Sequence, residues 1–255
     1  MESLWIAVAV LICTLVGTLV GSVLRGRLEE SHLGGDSKDV IKQCIGLIAT
    51  MVALVLGLLV ASAKSAFDAH NTGFRALSTN VIVLDRSLAR YGPDAEPARE
   101  LLRKTLASMI DHLWPPHASV PATSLDDRGL TAEAGLLYNA IRDLSPKDDG
   151  RREIRSQALQ ISSDLAKTRW SLGLPPSPLL PRPFLVVLLA WLTVLFGGFG
   201  LLTPRNGTVM TILFIGALSM AGALFLIVDM GEPFEGLIQV SGDSLRYALS
   251  QLGLP

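Results

Sequence analysis

The chain has little cysteine, and the two cysteines it has exclude a disulfide framework. Cys13 and Cys44 are the only ones in 255 residues, and both fall in apolar stretches, where a thiol behaves as a small hydrophobic group. Cys13 is near the middle of its stretch and Cys44 near the end of another. We therefore expect two free thiols, because a disulfide needs both cysteines at the same depth.

The sequence also lacks the usual motifs of catalysis and of metal or phosphate binding. No glycine-rich phosphate loop follows a strand, and no nucleophile elbow or zinc signature is present. His112 and His117 are the only close histidine pair, with no cysteine or acid at helical metal spacing, which favours surface histidines at a helix end over a ligand pair. We expect no enzymatic activity, no cofactor and no metal site.

Charged side chains are missing from four long stretches. These are residues 3–24, 43–63, 184–202 and 206–228. Each is about 20 residues long, enough to cross a hydrocarbon layer of ~30 Å as a helix. The first stretch lacks the basic start of a signal peptide, so we expect it to remain as a transmembrane helix. With a mean hydropathy of +0.44, the chain is predicted to be a multi-pass protein whose partner is the lipid bilayer.

The middle section, residues 64–182, is polar and helical in pattern. It holds 16 of the 22 basic and 14 of the 23 acidic residues, so it is nearly neutral and offers no basic patch for nucleic acid. Apolar spacing and proline stops predict helices from Asp94 to Trp114, over 131–144 and over 146–172. The predicted fold is all-α: four transmembrane helices with a helical extramembrane domain between spans 2 and 3.

The second span is predicted to continue beyond the membrane as one long helix. No proline occurs before Pro93, and apolar residues keep steps of three and four. This apolar seam comprises Ala63, Phe67, His70, Phe74, Leu77, Val81, Leu84 and Leu88. A bend at Asn71-Thr72-Gly73 is the alternative.

Small residues mark close helix packing within the spans. Gly17 and Gly21 in the first span, and Gly57 and Ala61 in the second, are small-x3-small pairs. Packing within one subunit and packing between subunits explain these pairs equally well. The run 197–200, with three glycines, is expected to bend or thin the third span.

A second stripe on the long helix is the candidate functional surface. It is small within the membrane and charged just beyond it, and it comprises Thr50, Leu54, Gly57, Ala61, Lys64, Asp68, Asn71 and Arg75. In a ring of subunits such a stripe would line a pore with a charged vestibule. The alternative is a solvated helix face on which Lys64 pairs with Asp68.

The tail, residues 229–255, follows the fourth span. Three acids, Asp229, Glu232 and Glu235, are candidates for a membrane mouth that concentrates cations, although acids also simply end spans. Apolar residues from Leu245 to Leu252 predict a short amphipathic helix, which we expect to lie in the membrane interface.

Charge in the short loops predicts the orientation. The loops joining spans 1 to 2 and 3 to 4 carry Arg25, Arg27, Lys38 and Arg205, which favours the cytoplasm for both loops. The termini and the helical domain would then lie outside, across the plasma membrane.

Two runs resemble the bacterial bestrophin-like family of membrane proteins. They are "GLIATMVALVLGLLVASAKSAFD" at 46–68 and "PFEGLIQVSGDSLRYAL" at 233–249, and the turn at 203–206 is similar too. The resemblance implies a relation to bestrophin channels, which are pentamers whose second span lines the pore and whose large domain is cytoplasmic. The resemblance does not include an aromatic neck in the second span, where this sequence has Met51, Leu54, Leu56 and Leu58.

These patterns leave two hypotheses on function. The first is a homo-oligomeric ion channel lined by the second span, with inorganic ions as its ligands. The second is a non-conducting, membrane-anchored interaction or sensory module that acts through its helical domain.

Overall fold

The computed structural model describes residues 2–28, 34–114, 128–173, 182–204, 206–231 and 236–252. Within these ranges the chain forms α-helices, one short 3-10 turn and no strand. The helices are α1 (Glu2–Arg27), α2 (Gly35–Tyr91), α3 (Glu96–Leu113), α4 (Arg128–Arg142), α5 (Asp149–Gly173), α6 (Arg182–Leu202), α7 (Gly207–Asp229) and α8 (Asp243–Gln251), and the 3-10 turn is Pro93–Ala95.

Four of these helices, α1, α2, α6 and α7, are long and apolar enough to cross a membrane. The predicted all-α class and the four spans are confirmed. Helix α2 begins before the uncharged stretch of the second span, because its first turns include charged residues such as Lys38 and Lys42. It then runs without interruption through Asn71-Thr72-Gly73 to Tyr91, so those three residues do not end the helix.

The chain divides into two compact units. The spanning unit contains α1, α2 as far as Ala66, α6 and α7, and the helical unit contains α2 from Phe67 onward, α3, α4, α5 and α8. In the spanning unit α1 packs against both α6 and α7. The largest apolar cluster there joins all four helices and comprises Val10, Val52, Leu56, Ala63, Leu188, Leu192, Ala221, Leu224 and Ile227.

Glycines let α1 and α6 approach at backbone distance. A Cβ atom added at Gly17 would lie 2.5 Å from the carbonyl oxygen of Thr193, and one at Gly21 would collide with the carbonyl of Gly197. In return, a Cβ at Gly200 would collide with the carbonyl of Thr18. Packing within one subunit therefore accounts for the first small-x3-small pair, and the glycine run of the third span makes α6 thin where α1 crosses it.

The helical unit is built around the predicted apolar seam of α2. From Phe74 to Leu88 every seam residue is buried in one core, while Phe67 and His70 are half-buried. Leucines, alanines and isoleucines of α3, α4 and α5 complete this core. Gly73 does not serve as a hinge but as a contact point, since a Cβ there would lie 2.8 Å from the Leu172 side chain on α5.

The C-terminal helix α8 exists, but its apolar face packs on protein. Leu245 and Ala248 are fully buried, and with Val240 and Leu252 they belong to the core of the helical unit. The expectation that this helix lies in the membrane interface is therefore wrong. A contact that the sequence could not reveal lies just before α8, where the Val240 carbonyl accepts a hydrogen bond of 3.0 Å from the indole Nε1 of Trp114.

Candidate functional site: the α2 stripe

The α2 stripe is the set of eight residues predicted to face a pore, and none of them is buried. Asn71 is half-buried and the other seven are exposed. The members are Thr50, Leu54, Gly57, Ala61, Lys64, Asp68, Asn71 and Arg75. They share one face of a single continuous helix, as their steps of three and four require.

The opposite side of the same helix is packed. Val52 and Leu56 are in the core of the spanning unit, whereas Leu54 between them is 76% exposed. Because side chains two apart point away from each other on a helix, burial of one face leaves the other uncovered by its own chain. Of the four residues that stand where the sequence shows no aromatic neck, Leu56 is a core residue, and Met51, Leu54 and Leu58 are exposed.

The stripe changes in chemistry along its length. Within the apolar section it is small: a Cβ added at Gly57 meets no atom within 4 Å, in contrast to Gly17 and Gly21. The hydroxyl of Thr50 donates to the Leu47 carbonyl at 2.8 Å, so it costs little in an apolar surrounding. Beyond this section the stripe carries Lys64, Asp68 and Arg75, all exposed. Repeated around an axis, these charges would set the sign of the local potential.

The proposed membrane-mouth acids are not a set of open carboxylates. Asp229 is only 1% exposed, and its two oxygens accept hydrogen bonds from the backbone N–H groups of Leu237 at 3.1 Å and Ile238 at 2.9 Å. Gly236 makes room for this arrangement, because a Cβ there would lie 2.8 Å from the carboxyl carbon. Asp229 holds the backbone at Leu237 and Ile238 instead of facing solvent. Glu232 and Glu235 lie outside the described residues.

Comparison with protein-family models decides the family. The bestrophin-like domain matches residues 8–245, from α1 to the start of α8. The chain belongs to the bestrophin-like family. Neither the curated proteins nor the solved structures gave a significant match. The resemblance seen in the runs at 46–68 and 233–249 is confirmed for the whole architecture, and this is a bestrophin-like membrane protein.

An ion pair inside the helical unit of this bestrophin-like protein escaped the sequence analysis. The Arg99 guanidinium contacts both oxygens of Asp85, at 2.9 Å from Nε and 3.2 Å from Nη2, and its Nη1 donates to Glu96 at 3.1 Å. The Asp85 side chain is 4% exposed and that of Arg99 is 13% exposed. The hydrogen bond to Asp85 raises the pKa of Arg99 above its ordinary value, so the guanidinium stays charged.

The position of Asp85 in the helical pattern of α2 could have indicated that this acid is buried. It follows Val81 by four positions and precedes Leu88 by three, so it continues the apolar seam of α2 with an acid. An acid within a buried helix face needs a nearby cation. The sequence pattern alone could not show which basic residue of the following helix supplies it.

A cavity in the helical unit is the second feature that the sequence did not reveal. Its volume is about 460 Å³, and residues of α2, α3, α4 and α5 line it. Most of the wall is apolar, including Leu77, Leu106 and Leu137, but Arg169 also contributes. Arg169 steps by four from Leu165 and by three to Leu172, so an arginine within an apolar stripe was the available signal.

Only one member of the histidine pair lies in the described part of the chain. Within those residues no three histidine, cysteine or acidic side chains are placed to share an ion. His112 lies near the end of α3, and His117 lies outside the described residues.

Proposed function

We propose that this bestrophin-like protein forms a homo-oligomeric ion channel in the plasma membrane, with α2 of each subunit lining the pore. The observation that carries the proposal is the α2 stripe: eight predicted pore positions that the chain's own packing leaves unburied. In a membrane such a face meets lipid, water or another subunit. Lipid suits Leu54, but it does not suit the charges that continue the same face at Lys64 and beyond.

Two further features support the channel. Gly17 and Gly21 are in close contact with α6 of the same chain, whereas no atom of the chain lies within 4 Å of a Cβ added at Gly57. The Gly57 surface can therefore approach a second copy or widen a pore. The resemblance to the bestrophin-like family implies a relation to bestrophin channels, in which the second span lines the pore. Inorganic ions are the expected ligands, and Lys64 with Arg75 favours anions at the vestibule.

A charge reversal at Lys64 tests the pore directly. The purified full-length protein is reconstituted in planar bilayers, and the reversal potential is measured in a salt gradient. We expect Lys64→Glu to shift the preference toward cations, because each subunit changes its charge by two and the effects add around the axis. Arg142→Glu, an exposed charge reversal on α4 and outside the α2 stripe, is the matched control and should leave selectivity unchanged, since salt screens exposed surface charges.

Two results contradict the channel: pure, assembled protein that conducts nothing, and a selectivity that Lys64→Glu leaves unaltered. Native mass spectrometry of the same sample gives the number of subunits. A monomer would leave the stripe without a partner and would also overturn the proposal.

The orientation is proposed from the short-loop charges, with both loops in the cytoplasm and the helical unit outside. Single cysteines are introduced by Ser37→Cys and Ser145→Cys after replacement of Cys13 and Cys44. Both serines are exposed. In intact cells an impermeant maleimide should label only the Ser145→Cys protein. Labelling of that position only after permeabilisation would reverse the orientation and match that of bestrophin channels.

A non-conducting sensory module is the second candidate, and the cavity of the helical unit is the observation that favours it. A unit with its own core and a binding-sized cavity can respond to a ligand without a pore. A monomer in mild detergent that conducts no ions but binds a ligand would favour this candidate over the channel.

A further inference from the structure

The cavity of the helical unit has the size and wall of a small-molecule site. At about 460 Å³ it falls within the range of ligand pockets, roughly 300–1,000 Å³. If each heavy atom takes about 30 Å³, the share of a water molecule in the liquid, the cavity accepts on the order of 15 heavy atoms. Five leucines line it together with Val81 and Met109, so most of a ligand's surface would meet hydrocarbon.

The cavity reaches the surface beside two aromatic side chains. Tyr138 on α4 and Trp170 on α5 both line it, and they are 40% and 49% exposed. Gly135, about one turn before Tyr138, also lines it and is exposed, and a Cβ added there would meet no atom within 4 Å. A ligand can therefore enter from outside past these residues.

Thr105 supplies a polar group without a partner in this wall. Its hydroxyl oxygen is covered and makes no hydrogen bond to the described residues. Within a helix a threonine hydroxyl often donates to the carbonyl one turn earlier, as that of Thr168 does to Asp164 at 2.9 Å. Leaving a buried hydroxyl unpaired is costly. Since threonine has two common χ1 rotamers in a helix, this group can turn to a ligand oxygen in the cavity.

The charge of the wall favours an uncharged ligand. Arg169 lines the cavity but already interacts within the chain, and its guanidinium carbon lies 5.8 Å from the centre of the Trp170 ring. The other polar side chains that the structure describes in the wall are neutral, including Asn139, Ser162 and Ser163. Burying an ionised group against leucine without a dedicated partner costs far more than burying a hydroxyl.

We propose that this cavity binds a neutral, single-chain lipophilic alcohol, with its alkyl chain against Leu77, Leu102 and Leu137 and its oxygen at Thr105. About 15 heavy atoms correspond to an alkanol of up to roughly 14 carbons. The site belongs to the helical unit and goes beyond ion conduction, so its test does not depend on whether the protein forms a pore.

Photolabelling locates the bound alcohol. The probe is decanol with a diazirine on its chain, which on illumination forms a carbene that inserts into neighbouring residues, and labelled peptides of the full-length protein in nanodiscs are mapped by mass spectrometry. We expect labels on the cavity-lining segments of α3, α4 and α5, and on the lipid-facing spans. Excess 1-decanol should reduce the cavity labels about tenfold and leave the span labels unchanged, because only the cavity saturates.

Chain length and charge separate the cavity from the bilayer. Competition for the cavity labels should strengthen from 1-octanol to 1-dodecanol and disappear with 1-octadecanol, which exceeds the volume of the cavity. Partitioning into lipid instead continues to rise, by about fourfold for each added CH₂. Decanoate should compete at least about tenfold more weakly than 1-decanol, because its carboxylate must lose its hydration without a partner.

Two substitutions test the opening and the hydroxyl. Gly135→Phe adds a ring in open space at the opening, so it should fold normally and reduce the cavity labels, whereas Leu136→Phe, exposed on the same helix and outside the cavity wall, should not. Thr105→Val has nearly the same volume and removes the unpaired hydroxyl. It should weaken competition by 1-decanol about fivefold and leave that by 1-chlorodecane, which has no hydroxyl, unchanged.

Labels confined to the spans would overturn the proposal, as would cavity labels that 1-octadecanol removes as well as 1-decanol does. Decanoate that competes as strongly as 1-decanol would overturn the neutral ligand. Competition by 1-decanol that is the same in Thr105→Val and in the unsubstituted protein would overturn Thr105 as the group that holds the ligand oxygen.

Discussion

At the scale of single residues, burial changes what a charge does. Asp229 ends a span and was a candidate for attracting cations, yet its carboxylate binds two backbone N–H groups and is shielded from solvent. Asp85, which had no assigned role, forms an enclosed ion pair with Arg99 in the helical unit. A carboxylate's surroundings, and not its position along the chain, determine whether it meets ions or holds the fold.

Removal of the charge at Asp85 should destabilise the helical unit. Asp85→Asn leaves the Arg99 guanidinium largely buried without its main partner, and breaking a buried pair in this way costs about 3 kcal/mol. We expect a loss of that order in the free energy of unfolding, measured by urea titration with tryptophan fluorescence as the probe.

Asp143→Asn is the matched control, because its pair with Arg142 is exposed on both sides. Exposed pairs contribute at most about 1 kcal/mol. Equal stability of the two variants would show that enclosure of the Asp85 pair has no energetic weight.

At the scale of elements, the same residue type serves opposite purposes on different helices. Gly21 on α1 is in backbone contact with α6, whereas a Cβ at Gly57 on α2, or at Gly46 earlier on the same helix, would meet no atom within 4 Å. Sequence spacing predicted small surfaces on both helices. It did not show that only the α1 surface is used inside the chain.

Adding a single methyl group at each of the two glycines, by substitution with alanine, tests this difference. Gly21→Ala should lower the melting temperature by several degrees, because overpacking against a backbone carbonyl costs about 1–3 kcal/mol. Gly46→Ala should be neutral or should stabilise α2 by up to about 1 kcal/mol through helix propensity. Thermal unfolding in detergent checks both, and a stabilising Gly21→Ala would contradict the close packing of α1 and α6.

The C-terminal helix gives the other test at this scale. Leu245 is fully buried in the core of the helical unit, whereas Tyr247 on the same helix is 62% exposed. Leu245→Ser should release α8 and speed tryptic cleavage at Arg246, since loss of a buried leucine costs about 2–5 kcal/mol. Tyr247→Ser should have little effect. If lipid vesicles were needed to protect the tail, the membrane-interface location would be restored.

At the scale of the whole molecule, four spans and the long α2 helix followed directly from the sequence. Crossing a bilayer needs about 20 uncharged residues in a row, which is a local property that can be counted. The length of α2 followed from the absence of proline before Pro93, and the seam from Phe74 to Leu88 followed from helical periodicity. The α2 stripe was also identified from this periodicity, and its role at a pore stays a prediction.

Tertiary structure decided everything that depends on which distant surfaces meet. It assigned Gly21 to packing within the chain, placed the apolar face of α8 in the core of the helical unit, enclosed Asp85 with Arg99 and formed the cavity beside Arg169. Periodicity states which face of a helix is apolar or charged, but not what covers that face. The cover is set by contacts between segments far apart in the chain, whose energies depend on mutual geometry that no local pattern records.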